Sequence, residues 1–165
     1  MSHLKLMKLL YLADRESLRL YGLSMSGDCL VSMPHGPVLS MTLNLMDGDV
    51  ESTSPDGWES LISSKDNHEL SLIKSELQID RLDELSKADT GVLESIWSQF
   101  GNLSRWEIRD YTHQHCPEWE DPRGSSAPIR FEKLFQVLGH PADESERLAA
   151  HIYEQQHIDE LFAAL

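Results

Sequence analysis

The sequence predicts a mainly α protein, a single compact helical domain over residues 1–165 with one small β-hairpin at about residues 58–74. Three observations carry that expectation. Apolar residues recur at spacings of three and four in several separate windows. Two signatures, Ser86-Lys87-Ala88-Asp89 and Ser104-Arg105-Trp106-Glu107, have the capping-box form that opens helices, the first with Asp in place of the usual Glu or Gln. Alternation of strand period gathers around Leu70 and Leu72, between Trp58 and Lys74.

Residues 3–21 read as a helix, with Leu6, Leu9, Leu10, Ala13, Leu20 and Tyr21 largely on one face and Gly22 as the stop. Lys5, Lys8, Asp14, Arg15, Glu16 and Arg19 supply its polar side, and Asp14 and Arg15 are read as a structural ion pair. Val38 to Met46 is a second short helix, closed by Asp47-Gly48-Asp49. Residues 47–57 are loop, with Pro55-Asp56-Gly57 as a turn signal. Two runs, Trp58–Ser63 and Glu69–Lys74, then form the hairpin around the polar connection Ser64–His68.

The helix opened by Ser86 carries Val92, Leu93, Ile96, Trp97 and Phe100, with Trp97 placed in the core and Gly101-Asn102 as the stop. The helix opened by Ser104 runs through about His113, and Cys116-Pro117 breaks it. Pro128 suits a helix first turn, and Ile129, Phe131, Leu134, Phe135 and Leu138 give that helix its face. Gly139 and Pro141 end it. The last helix, about 143–163, begins acidic as its dipole favours and is expected to act as a C-terminal extension, with Leu148, Ile152, Leu161 and Phe162 as its main apolar residues.

The stretch Asp28 to Val38 organises the rest. Pro34 and Pro37 fix their own φ and push Met33 and Gly36 away from helical geometry. Gly36 permits a sharp bend, yet the flanks are apolar. The reading is a turn joining two helices, tucked against a core and presenting a fixed surface.

At 165 residues the chain is large enough to bury a core without staples, and no apolar run approaches the ~20 residues that span a bilayer. Two cysteines, Cys29 and Cys116, make no disulfide framework, and no secretory signal is visible, so the expected address is the cytoplasm. The net charge is −14, from 14 basic and 28 acidic residues. Residues 47–94 alone hold 13 acids against four bases, while 95–140 are nearly balanced. Such a field repels nucleic acid and steers basic protein partners.

No phosphate-cradling loop, nucleophile elbow or dinucleotide fingerprint is present, so no cofactor and no catalytic residue is assigned. His113, His115 and Cys116, joined by His35, fall short of a zinc ligand pattern. A Cys/His nucleophilic pair lacks any mark of activation. Trp106 and Trp119 bracket the charged segment Arg109–Glu118, which can stack against the organising turn as a clamp or a protein-binding hot spot.

Lys5-Leu6-Met7-Lys8-Leu9-Leu10-Tyr11-Leu12-Ala13-Asp14-Arg15-Glu16, then Gly27-Asp28, then His35-Gly36-Pro37-Val38 resemble the opening of the Panacea domain, the family of SocA-like antitoxins and GepA-type phage-associated proteins. Leu85-Ser86, Tyr111-Thr112-His113, Pro117-Glu118-Trp119 and Ile129 follow in the same order, so the resemblance runs over roughly residues 4–140. It implies a mostly helical domain that neutralises a toxin encoded beside it by direct binding. Toxins paired with the family are diverse and include inhibitors of translation and replication. The SocA branch implies a different use, an adaptor that delivers its toxin to a AAA+ protease. Family members carry a further helix ahead of the Lys-Leu-Leu-Tyr segment, so this chain is expected either to be truncated at its start or to lack that helix. No appended helix-turn-helix is visible, and DNA binding is not expected.

The first expectation is therefore an antitoxin that occludes a cognate, basic toxin, with a AAA+ protease as a further partner and neither nucleic acid nor membrane involved. A proteolytic adaptor or phage-associated regulator is the alternative, and a small His/Cys-dependent hydrolase the second. Partner contacts are expected at His35, Gly36, Pro37, Trp106, His113 and Trp119, near the acidic last helix. Structural roles fall to Tyr11, Asp14, Asp28 and Gly36.

Overall fold

A computed structural model describes residues 1–52, 57–73 and 84–163. Its helices are α1 (His3–Tyr21), α2 (Ser40–Asp47), α3 (Trp58–Leu61), α4 (Lys87–Phe100), α5 (Arg105–His115), α6 (Phe131–Val137) and α7 (Ala142–Ala163). Its strands are β1 (Leu30–Met33), β2 (Gly36–Leu39) and β3 (Ala127–Pro128), in the antiparallel order β2-β1-β3. The expected class, mainly α with a small β element, is what the chain adopts. The turn expected at Pro55-Asp56 and the hairpin end at Lys74 lie outside the described residues.

Helix α1 is the axis of the packing. Ser2 Oγ accepts from Lys5 N at 3.2 Å, and Gly22, at φ 67°, returns its N–H to the Leu18 carbonyl. Neighbours on several sides bury Met7, Leu9, Tyr11, Leu12, Ala13 and Leu18. The buried face is therefore broader than one apolar stripe, and it takes in Lys8, Asp14 and Ser17. Leu20 and Tyr21, expected on that face, are half exposed at the helix end.

The segment expected as a turn between helices is instead a β-hairpin. Leu30 pairs with Leu39 and Met33 with Gly36, leaving Pro34-His35 as the connection. Prolines are tolerated because Pro34 sits in the turn, and Pro37 lies in β2, an edge strand of the sheet. Val38 and Leu39 finish β2, so α2 starts two residues later than the sequence suggests. Pro128, expected in a helix first turn, sits in β3 opposite Val31, and α6 begins only at Phe131.

The hairpin placed at 58–74 is shorter than expected. Trp58–Leu61 is one helical turn, and among the described residues the two runs pair through bridges Ile62↔Leu72 and Asp66↔Glu69 around Asn67 and His68 at positive φ. The first run contains no β-branched residue before Ile62, so nothing there favours an extended backbone. Both predicted capping boxes form: Ser86 with Asp89, and Ser104 with Glu107. Trp97 is not core. It is 54% exposed while Val92, Ile96 and Phe100 of the same helix are buried.

Candidate functional site

Helix α1 presents four polar side chains inward, and together they tie down three segments. Tyr11 Oη donates to Glu118 Oε1 at 2.7 Å, and Arg15 Nε donates to the same oxygen at 2.6 Å. Glu118 is 2% exposed, so its charge is neutralised where water cannot reach. Asp14 does not pair with Arg15, whose guanidinium is committed to Glu118. The Asp14 carboxylate instead accepts from Met25 N at 2.7 Å, Ser26 N at 2.9 Å and Ser24 Oγ at 3.0 Å. Burial pushes its pKa up while those hydrogen bonds pull it back. The result is a closed loop between α1 and the sheet.

Lys8 is fully buried and donates to the Pro37 carbonyl at 2.6 Å. No carboxylate among the described residues pairs with it, and burial lowers its pKa to about 7. The turn closes on top of this ammonium. Gly36 has φ 95°, and a Cβ there would lie 2.9 Å from Thr112 Oγ1, 3.0 Å from Lys8 Nζ and 3.2 Å from His113 Cδ2. Only glycine fits both the angle and the space.

Asp28 works one step along the chain. Its carboxylate accepts from Cys29 N, Met41 N, Thr42 N and Thr42 Oγ1 at 2.6–2.9 Å. Leu39 at the N-cap of α2 offers no side-chain acceptor, so Asp28 supplies the cap from a distant point in sequence.

The segment after α5 clamps the hairpin. Trp119 Nε1 donates to the Met33 carbonyl at 2.9 Å, and its ring stacks on His113 with centroids 4.2 Å apart and planes 4° apart. Burial, then the Lys8 and Arg109 charges, hold the His113 pKa down, and its Nε2 is buried without a hydrogen-bond partner among the described residues. His35 is exposed at the hairpin tip. Trp106 stands apart from the turn, 47% exposed, its ring centroid 4.9 Å from the Arg105 and 4.8 Å from the Arg109 guanidinium carbon.

The structure thus brings His35, Gly36, Pro37, His113 and Trp119 to one end of the hairpin. Trp106 lies seven residues before His113, two turns along the same side of α5. Sequence reasoning missed Lys8, Thr112 and Glu118. Glu118 lay inside a quoted motif, but Lys8 looked like any solvated lysine of an amphipathic helix. Cys116 is buried, and burial with the nearby Glu118 raises its pKa to about 12, which opposes thiolate chemistry. Among the described residues no group of three His, Cys, Asp or Glu side chains is placed to hold a metal ion. No helix among them is long and apolar enough to cross a membrane. The arrangement can hold a rigid surface. Among the described residues neither cysteine is activated as a nucleophile.

A family model described as antitoxin SocA-like, Panacea domain matches residues 6–120. The match takes in α1, the β1–β2 hairpin, α4, α5 and the Trp119 clamp, and stops before β3, α6 and α7. No curated protein and no solved structure matches the chain.

Proposed function

The chain belongs to the SocA-like antitoxin, Panacea-domain family, and on that premise we propose that it is an antitoxin that neutralises the toxin of a neighbouring gene by direct binding, without catalysis. The observation that carries the reading is the extent of the family match, which covers the whole clamped hairpin rather than one motif. The geometry supports it: a turn held by Lys8, Thr112 and Trp119 gives a preorganised contact surface, and preorganisation cuts the entropic cost of association. The contacts proposed are His35, Gly36, Pro37, Trp106, His113 and Trp119. A net charge of −14 favours a basic toxin.

Expression of the neighbouring gene alone is expected to arrest growth, and co-expression with this chain to restore it, with the two proteins co-purifying. A harmless neighbour, or a toxic one that never co-purifies, removes this reading. Rescue that depends on a AAA+ protease, with toxin lost from the cell rather than sequestered, selects the adaptor instead.

A further inference from the structure

We infer that the Arg105–Trp106–Arg109 face of α5 receives an acidic, apolar-flanked segment of the protein partner, an assignment that rests on the toxin-binding reading and names the chemistry of its contact. Trp106 is a large apolar ring left half in water, and two guanidinium groups already lie against it. Arg109 shares one charge with Asp110 Oδ1, at 2.5 Å from Nη2. Arg105 makes no ion pair or hydrogen bond to any described residue, and its guanidinium lies over the indole.

Helix stability does not account for Arg105. The first turn of a helix favours acidic side chains, and an arginine there works against the dipole. The acid of that turn, Glu107, is taken by the capping box with Ser104. In a chain with 28 acids and 14 bases, Arg105 is an exposed arginine with no carboxylate partner among the described residues, which leaves its donors open to one.

The arrangement suits a carboxylate. Stacking on Trp106 orders both guanidinium planes before contact, so less rotamer freedom is lost on binding. Guanidinium takes carboxylate in a two-point hydrogen-bonded geometry, and Trp and Arg dominate interface hot spots. Trp106, Arg109 and His113 recur at helical spacing, which makes the face continuous with the His113–Trp119 stack. The whole-chain field acts at long range and this face at contact, so a basic partner with one acidic segment satisfies both. Stacked bases of a single-stranded nucleic acid would fit the same side chains, but the net charge of −14 repels phosphates.

The test measures affinity of the full chain for the neighbouring gene's protein, with folding of each variant checked by circular dichroism. Arg105→Glu with Arg109→Glu is expected to raise Kd about 100-fold or more, and Trp106→Ala about tenfold or more. Arg130→Glu, on exposed charge elsewhere, is expected to change it less than about twofold. An acid-to-Arg substitution in the partner should restore binding to the Arg105→Glu form. Tight wild-type binding that survives the double reversal overturns the inference and leaves the toxin-binding reading standing. Failure of the wild type to bind removes both. Binding of a fluorescent oligothymidine that the double reversal abolishes assigns the face to nucleic acid and overturns the inference.

Discussion

Lys8 is the residue whose chemistry the sequence hid. In the stretch Lys5-Leu6-Met7-Lys8 it has the spacing of a solvated lysine, and its ammonium leaves water only once the hairpin and α5 are packed around it. Its folded pKa of about 7 lies below the ordinary 10.5, so between those values the unfolded chain binds more protons than the folded one. Stability therefore rises with pH through that window, by at most about 1.4 kcal/mol per pH unit for a single group. Cys116 acts in the opposite sense from its ordinary 9.0 up to about 12, because there the folded chain holds the extra proton. The window owned by Lys8 is thus about pH 7 to 9. Urea titrations across it should show stability increasing for the wild type and flat for Lys8→Met; equal slopes would show that Lys8 does not titrate in the fold. Gly36 was legible, because a bend beside two prolines demands it. Its reason is stronger than the bend, since three side-chain atoms already occupy the space of a Cβ. Gly36→Val should cost about 2 kcal/mol or more, read as a lowered Tm beside an unmoved Glu51→Gln control.

At the scale of elements, legibility followed how local the cause was. The two capping boxes and the Gly22 stop are written within four residues of the feature they make, and all three form. The sheet is not local. β3 is two residues long and exists because Ser32 and Val31 lie across from Ala127 and Pro128, almost a hundred positions away. Leu30-Val31-Ser32-Met33 does alternate in burial, but the prolines that follow read as a loop until the pairing is known. The same holds for α2, whose first turn depends on Asp28 and not on a residue beside it. Asp28→Ala should therefore cost about 1–2 kcal/mol and speed amide exchange selectively in residues 40–47. Uniform acceleration across the chain, or none, would mean that Asp28 does not cap this helix.

At the scale of the molecule, charge and surface point to different stages of one association. The acid is concentrated in residues 47–94 and 141–165, while the 95–140 stretch carrying α5 and the Trp119 clamp is nearly balanced. On the proposed antitoxin reading, the first draws in a basic partner and the second seats it. Those stages separate experimentally. Long-range attraction between exposed charges is screened over about 8 Å at physiological ionic strength, whereas desolvated contacts are screened far less. The association rate should fall about tenfold between low salt and about 0.3 M, with the dissociation rate nearly constant. Neutralising acids away from the contact face, such as Glu51→Gln with Glu69→Gln, should lower the association rate alone. Trp119→Ala should raise the dissociation rate instead, since it removes both the stack on His113 and the bond to the Met33 carbonyl that hold the turn in place. An association rate indifferent to salt would show that the acidic field does no steering, and the expectation of a basic toxin would go with it. The clamped face would then have to account for recognition through contact chemistry alone.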